Sequence, residues 1–268
     1  MSKFQNRLKY LLTNGVPVVG HWISIPSPSI VELMSSFGMD WLLIDTEHAP
    51  AGWETVEDMI RAMKGTEVVP LIRVASNDPV LIKKALDRGA LGVVVPLVNT
   101  ADEARRAVSA CKYPPEGTRG IAGTRVNRYG MDLLQYFKEW NSQVLVVCQI
   151  ETTKGLENAE AIAAIPGVDV LFVGPTDLSM NLGCFGQLDH PTFRQAVERI
   201  LHAARANGIA AGIMAESAEE TLARIDQGFL FVAAGTDARL LATAAKDTYE
   251  KLRTGISLRK NKLETKGS

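Results

Sequence analysis

The amino-acid sequence predicts an α/β fold, a closed (β/α)8 TIM barrel built from one domain. Eight short apolar runs, rich in Val, Ile and Leu, recur along the 268 residues. Segments in which apolar residues recur at helical spacing separate these runs, and this alternation is typical of right-handed βαβ units. The chain length is also that of one such barrel. An open doubly wound sheet is the alternative, but no glycine-rich dinucleotide-binding motif follows the first run.

The eight predicted strands are almost continuously apolar, which is typical of parallel strands buried on both faces. The first is predicted over VPVVGHWISI (16–25) and the second over MDWLLID (39–45). The remaining six are predicted over 68–74, 90–98, 144–151, 168–174, 208–214 and 228–235.

The predicted helices cover 28–37, 54–64, 78–88, 100–111, 155–164, 190–206 and 217–226, with a final helix over 236–254. Two of them begin with strong N-terminal signals, at Ser76–Pro79 and at Asn99-Thr100. One connection, Tyr113–Gly130, is unusually long, and long loops in compact domains are often functional. We expect a single barrel domain over 1–254, followed by a polar, disordered tail over 255–268.

The charge balance argues against two classes of partner. The chain has 29 Lys and Arg against 30 Asp and Glu, so its formal net charge is −1. This balance gives no electrostatic case for binding nucleic acid or a membrane surface. No apolar run is long enough for a transmembrane helix, and the N-terminal stretch lacks the apolar core of a signal peptide. Three widely separated cysteines do not suggest a disulfide scaffold, so we expect a cytoplasmic protein.

Acidic residues follow two neighbouring predicted strands. Active sites of such barrels lie at the carboxyl ends of the strands, where Glu151 follows the fifth run and Asp177 the sixth. Two carboxylates at close range repel each other unless a proton or cation lies between them. Oxygen ligands suit Mg²⁺ or Mn²⁺. The alternative is that each residue caps the following helix or pairs with a surface lysine.

Asp45, His48 and Arg73 are further candidates at the same rim. A carboxylate that holds one imidazole nitrogen raises the basicity of the other, so Asp45 and His48 suit proton transfer. A structural histidine in a turn is the alternative. Arg73 lies in an apolar run, and a buried guanidinium needs a partner. That partner is either a bound carboxylate or keto oxygen, or a structural carboxylate such as Asp45, Glu47 or Asp87.

Two loops offer groups that could bind anions. The turn Gly174–Asp177 presents consecutive backbone N–H groups, which can hold a small carboxylate. The long loop carries Arg119, Arg125 and Arg128, which could recognise the distal carboxylate of a dicarboxylic substrate. Alternatively, these arginines lie at a subunit interface or face solvent.

Five motifs in register carry a resemblance to a known family. They are WLLIDTEHAP (41–50), PLIRV (70–74), YPPEGTRG (113–120), QIET (149–152) and GPTDLS (174–179). Together they resemble the HpcH/HpaI aldolases, the metal-dependent class II branch of the pyruvate aldolases. The likeness extends over residues 3 to 254 in the same order.

The resemblance implies a barrel of the phosphoenolpyruvate/pyruvate type whose C-terminal helix is swapped between subunits, in a homohexamer formed as a trimer of dimers. It implies reversible cleavage of a 4-hydroxy-2-oxoacid to pyruvate and an aldehyde through a metal-bound pyruvate enolate. The cofactor would be Mg²⁺, Mn²⁺ or Co²⁺, with no organic cofactor.

The resemblance also implies roles for individual residues. Glu151 and Asp177 would bind the metal, and Gln149 would line its site. Arg73 would bind the keto oxygen, while His48, oriented by Asp45, would transfer protons. The remaining positions would contact substrate, namely Gly174, Thr176 and Asp177 at the carboxylate, with Trp22 and Met214 in the pocket wall.

The sequence departs from the family pattern at several positions. Thr46 stands where relatives have glycine, His21 stands where they have an apolar residue, and the loop 121–130 is atypical. Because of these changes, the sequence does not identify the acceptor aldehyde. Two other functions remain as alternatives, a lyase of the citrate lyase type acting on a CoA thioester, and a non-catalytic barrel that binds an oxoacid.

Overall fold

The computed structural model describes the backbone of residues 4–264 and the side chains of residues 4–259. Eight parallel strands pair in chain order and close into a barrel, which confirms the predicted fold. Each strand lies on one of the eight predicted apolar runs. The strands are β1 Val18–Ile23, β2 Trp41–Asp45, β3 Val69–Arg73, β4 Gly92–Val95, β5 Leu145–Ile150, β6 Val170–Val173, β7 Ala210–Met214 and β8 Phe231–Thr236.

Helices connect the strands and surround the barrel. Two predicted helix starts are confirmed, because Asp78 and Thr100 accept hydrogen bonds from the first turns of their helices. No helix in the described range is long and apolar enough to cross a membrane. The helices are α1 Arg7–Thr13, α2 Pro28–Ser35, α3 Trp53–Ala62, α4 Pro79–Arg88, α5 Ala101–Cys111, α6 Leu133–Gln143, α7 Thr153–Glu157, α8 Ala159–Ala163, α9 Pro175–Asn181, α10 Pro191–Ala206, α11 Ala218–Gln227 and α12 Asp237–Glu264.

Two apolar clusters stabilise the barrel. One lies between the strands and the surrounding helices, and the other fills the barrel interior. Inside, the indole of Trp41 stacks on Phe231 with ring centroids 4.4 Å apart. Gly20 makes room for this stack, since a Cβ at that position would lie 2.1 Å from the Trp41 ring. The interior is therefore a packed core below the mouth of the barrel.

Helix α1 covers the amino-terminal end of the barrel. Its Leu8 and Leu12 belong to the interior cluster. Lys9 forms an ion pair of 3.0 Å with Asp169, which directly precedes β6. Burial raises the pKa of Asp169, although the ammonium of Lys9 opposes this effect. These contacts close the floor of the barrel opposite the carboxyl ends of the strands.

The long loop 113–130 lies at the amino-terminal end as well. Arg119 is fully buried and binds Asp87 at the end of α4 with a distance of 2.7 Å. Its guanidinium lies 4.8 Å from the ring centroid of Tyr113 and 4.7 Å from that of Trp140. The end of α4 leads into the amino-terminal end of β4. Arg119 therefore lies at the end of the barrel opposite the carboxyl ends of the strands.

The interpretation of the loop arginines as substrate ligands is therefore wrong for Arg119, because its guanidinium is buried and paired with Asp87. Arg125 donates to the carbonyl oxygen of Arg88 at 2.8 Å and lies at the same end of the barrel. Arg128 is mostly exposed and lies 3.5 Å from Asp132. The structure thus places none of the three in the mouth formed by this chain.

Helix α12 is longer than predicted. It continues to Glu264 as a 28-residue helix. The predicted disordered tail is therefore helical over 255–264, and 265–268 lie outside the described residues. The segment after 254 contains no proline and keeps apolar residues at helical spacing, which allows the helix to continue.

Candidate active site

A cavity of about 350 Å³ lies at the carboxyl ends of the strands. It collects most of the predicted site residues from six different strands or the turns that follow them. Its polar lining residues are Ser24, Asp45, His48, Arg73, Gln149, Thr176, Asp177 and Thr236, and its other lining residues are Trp22, Phe172, Gly174, Pro175 and Met214. Ser24, Phe172 and Thr236 were not predicted, and the signal that could have found them is their position at strand ends.

Arg73 is held by two carboxylates. Asp45 accepts from its Nε at 2.9 Å and from its Nη2 at 2.6 Å, and Glu47 lies 2.9 Å from Nη1. Asp45 and Arg73 are partners across β2 and β3, so strand register alone brings them together. Although burial acts to raise the pKa of Asp45, the hydrogen bonds and charge of Arg73 hold it below its usual value. The guanidinium also lies over the Trp22 ring, 4.9 Å from its centroid.

His48 lies at the rim of the cavity, and its side chain is 69% exposed. Its Nε2 is 3.9 Å from a carboxylate oxygen of Glu47. The predicted pairing of Asp45 with the His48 imidazole is not formed in this structure. The imidazole is exposed and its Nε2 lies near Glu47, whereas Asp45 accepts from Arg73 and from the backbone N–H of Glu47. The structural alternative for Arg73, pairing with Asp45 and Glu47, is confirmed. The sequence named Glu47 only as a possible structural partner of Arg73, whereas the structure places it in the site.

Glu151 is buried behind the cavity wall with both oxygens occupied. Oε1 accepts from the backbone N–H of Leu97 at 2.7 Å, and Oε2 accepts from the side chain of Gln149 at 2.5 Å. Burial raises the pKa of Glu151 to about 7, and the nearby carboxylates of Asp177 and Glu47 act in the same direction. Leu97 has a φ of 53°, and nothing in the sequence indicated its contact with Glu151.

Gly174 allows Glu151 to approach the turn after β6. A Cβ at this position would lie 2.8 Å from Oε2 of Glu151 and 2.8 Å from Nε2 of Gln149. Asp177 lies one helical turn further, in the first turn of α9. The glycine therefore allows Glu151 and Gln149 to pack against the turn after β6. The two candidate metal ligands follow neighbouring strands, Glu151 directly after β5 and Asp177 in the helix after β6.

The donor set fits a divalent cation. Glu151 and Asp177 provide carboxylate oxygens, and Oε1 of Gln149 is buried without a hydrogen-bond partner. Such oxygen donors suit Mg²⁺, Mn²⁺ or Co²⁺. No group of three or more His, Cys, Asp or Glu residues in the described part of the chain is arranged to hold a metal. The two carboxylates would therefore need Gln149, water or substrate oxygens to complete the coordination.

Comparisons with known proteins show the family to which this chain belongs. The family described as HpcH/HpaI aldolase/citrate lyase matches residues 19–244. The 5-keto-4-deoxy-D-glucarate aldolase of Shigella boydii serotype 18 is 37% identical over 252 residues, covering 92% of this chain and 98% of that protein.

Two solved structures share the whole barrel. A HpcH/HpaI aldolase/citrate lyase family protein from Burkholderia cenocepacia has a TM-score of 0.89 at 36% identity, covering 93% of this chain and 100% of that one. A HpcH/HpaI aldolase from Desulfitobacterium hafniense has a TM-score of 0.86 at 28% identity, covering 92% and 96%. These matches confirm the resemblance that the five motifs indicated. The chain belongs to the HpcH/HpaI aldolase/citrate lyase family, and it is a lyase.

Proposed function

We propose that this lyase is a divalent-metal-dependent class II aldolase that reversibly cleaves a 4-hydroxy-2-oxoacid to pyruvate and an aldehyde. The observation that carries the proposal is that Asp177 and Arg73 line one cavity, while Glu151 lies buried behind its wall, close enough for both to act on its charge. Two acids suited to a cation thus lie near a guanidinium suited to an oxyanion. The name of the Shigella relative makes 5-keto-4-deoxy-D-glucarate the first substrate to test.

Glu151 and Asp177 would hold the cation, with Gln149 beside it. When bound, a divalent ion supplies Lewis acidity at the keto oxygen and makes the adjacent carbon more acidic. Positive charge at this point also favours the ionised form of Glu151, whose pKa burial raises to about 7.

Arg73 would donate to the keto oxygen, where negative charge develops during cleavage. A guanidinium has five N–H groups. Two of those of Arg73 donate to Asp45, and Nη1 forms an ion pair with Glu47. The N–H groups not bound to Asp45 would be the ones that donate to substrate. Asp45 and Glu47 would act as positioning residues, because they hold the guanidinium in one orientation over Trp22.

The other predicted residues would complete the binding site. The substrate carboxylate would accept from the free amide N–H groups of Thr176 and Asp177, which follow Gly174 in the first turn of α9. Trp22 and Met214 would form the apolar wall. His48 would take the proton of the C4 hydroxyl, since its exposed imidazole lies at the rim and exchanges readily with solvent.

A retro-aldol screen of 4-hydroxy-2-oxoacids, both mono- and dicarboxylic, with pyruvate detection tests this function. We expect chelator to abolish pyruvate release, and Mn²⁺, Co²⁺ or Mg²⁺ to restore it. Borohydride in the presence of pyruvate should not inactivate the enzyme, because no Schiff base is required. Irreversible inactivation by borohydride, or activity that survives complete metal removal, would refute the proposal. Activity that requires a CoA thioester would favour the citrate lyase type of reaction.

The assembly and setting follow from the family resemblance. We propose that α12 packs on a neighbouring subunit and that the protein is a hexamer built from dimers, in the cytoplasm. Exposed apolar residues on one face of α12 support this proposal, namely Leu241, Tyr249, Leu252 and Ile256. Residues 1–254 would form the barrel domain, with the remainder of α12 extending beyond it.

A further inference from the structure

We propose that Ser24, held by Asp237, selects an acceptor aldehyde that carries a hydroxyl group next to its carbonyl. This inference rests on the proposed aldolase function and specifies the half of the substrate that becomes the aldehyde. Ser24 directly follows β1 and lines the cavity.

Asp237 fixes Ser24 from behind the cavity wall. This carboxylate is only 5% exposed, and it begins α12. Its Oδ1 accepts from the backbone N–H and from the hydroxyl of Ser24, both at 2.8 Å. Its Oδ2 accepts from the backbone N–H of Ile25 at 3.0 Å. The segment after β1 therefore has a defined position relative to the end of β8.

The bond to Asp237 determines what Ser24 can recognise. A serine hydroxyl has one proton to donate and two lone pairs with which to accept. The proton of Ser24 is committed to Asp237, so the oxygen can only accept from a group in the cavity. The Ser24 oxygen would therefore accept from the O–H of a substrate hydroxyl group. A substrate carboxylate has no proton to donate, so its oxygen and that of Ser24 would repel each other.

The barrel geometry places Ser24 at the correct end of the substrate. The strands close in chain order, so β1 lies across the barrel from β5. Glu151 and Gln149, which would bind the pyruvate half, belong to the β5 side. The other half of the substrate would consequently extend towards Ser24.

Two cleavage substrates that differ by one hydroxyl test the inference. The first, 4,5-dihydroxy-2-oxopentanoate, yields pyruvate and glycolaldehyde, and the second, 4-hydroxy-2-oxopentanoate, yields pyruvate and acetaldehyde. For Ser24→Ala we expect kcat/KM on the first to fall about threefold to tenfold, the value of one neutral hydrogen bond. On the second it should change by less than about twofold.

Two further variants act as controls. Ser24→Thr keeps the hydroxyl and should retain the preference for the first substrate. Ser36→Ala removes an exposed hydroxyl at the end of α2 and should leave both rates unchanged. Equal losses on both substrates in Ser24→Ala, or no loss on either, would overturn the inference while leaving the proposed function intact. If the wild-type enzyme with Mn²⁺ cleaves no 4-hydroxy-2-oxoacid of the screen, these two included, the proposed function fails, and the inference fails with it.

Discussion

Arg73 concentrates much of the chemistry of the site in one side chain. It is buried, and two carboxylates and one aromatic ring hold it in place. A buried ion pair of this kind contributes little net stability, because desolvation offsets the attraction between the charges. Its value lies in orientation, since a rigid guanidinium can meet a developing negative charge without reorganising.

Replacing Arg73 by alanine should reduce turnover about 10²- to 10³-fold, the usual cost of losing a donor to a developing oxyanion. The same change leaves the buried Asp45 without its partner, which should lower the free energy of unfolding by about 3–5 kcal/mol. Steady-state kinetics and urea denaturation measure the two effects. Arg7→Ala, which removes an exposed pair with Asp40, should cost less than about 1 kcal/mol. Near-native turnover of Arg73→Ala would contradict the role given to Arg73.

His21 is a buried imidazole whose two nitrogens have no hydrogen-bond partner. Burial lowers its pKa from the ordinary value of 6.5, although the charge of Asp237 acts in the opposite direction. The folded protein therefore prefers the neutral ring. The stability that depends on this preference is present above the unfolded pKa and is lost as the pH falls below it.

We expect His21 to lower the free energy of unfolding as the pH falls from 7 to 5, whereas Glu151, whose pKa burial raises to about 7, acts in the opposite direction. His21→Val should therefore be more stable at pH 5 relative to pH 7 than the wild type is. One such group can contribute at most about 1.4 kcal/mol per pH unit. Chemical denaturation across this pH range measures the slope. His202→Gln, which changes an exposed histidine, should retain the wild-type slope. If the free energy of unfolding of His21→Val changes with pH as in the wild type, His21 does not contribute to this pH dependence.

The sequence predicted most of the residues that line the mouth, but it predicted their pairing less well. The spacing of Asp45 and His48 along the chain suggested a local pair. Strand register instead places Asp45 opposite Arg73, 28 positions away, and the bidentate geometry of a guanidinium favours that contact. Partners across strands depend on register, which local spacing does not reveal.

At the scale of elements, β1 illustrates how the interior is packed. Gly20 faces the indole of Trp41, and a bulge between Gly20 and Trp22 shifts the pairing with β8. The next inward side chain is Trp22, which forms the bottom of the cavity beside Phe172. The absence of a side chain at Gly20 therefore leaves room for the stacked rings of Trp41 and Phe231.

Gly20→Ala should destabilise the barrel, because the added Cβ would meet the Trp41 ring at 2.1 Å. Overpacking of a close-packed core costs about 1–3 kcal/mol and sometimes more. Thermal unfolding followed by circular dichroism measures the loss. Gly52→Ala is a matched control, since a Cβ there meets nothing within 4 Å. Equal melting temperatures for the two variants would contradict this description of the interior.

The elements that the sequence missed share a physical cause. Helix α6 was not predicted because only Tyr136 and Trp140 are buried along it, and a glycine-rich loop precedes it. Helix α9 has seven residues, too few for periodicity to be recognised. By contrast, the strands are buried on both faces, so their apolar runs were unambiguous. The function of the long loop was misread, because three arginines in sequence do not reveal that one is buried among aromatic rings.

For the whole molecule, α12 provides the surface that the proposed assembly would use. Its 28 residues extend over about 42 Å, and most of its side chains up to residue 259 are exposed. Leu241, Leu252 and Ile256 share one face of the helix. A contiguous apolar face of this length on a protein surface indicates an interaction site.

The double variant Leu241→Glu and Leu252→Glu should dissociate the assembly, because two charges would enter an apolar contact. Light scattering after size exclusion should show the wild type as a multiple of 29.1 kDa and the variant at lower mass. Lys251→Glu changes an exposed position on another face of α12 and should leave the mass unchanged. A monomeric wild type would refute the hexamer.

The closed floor of the barrel has a consequence for stereochemistry. In the described part of the chain, α1 packs over the amino-terminal end, and Trp22 and Phe172 pack against each other at the bottom of the cavity, so the cavity opens at the mouth. A flat carbon centre bound across this floor presents one face to the rings and the other to water. Deuterium taken from bulk water would then be added to one face of that carbon, and a substrate that carries tritium at one defined position on this carbon would yield a methyl group of a single configuration.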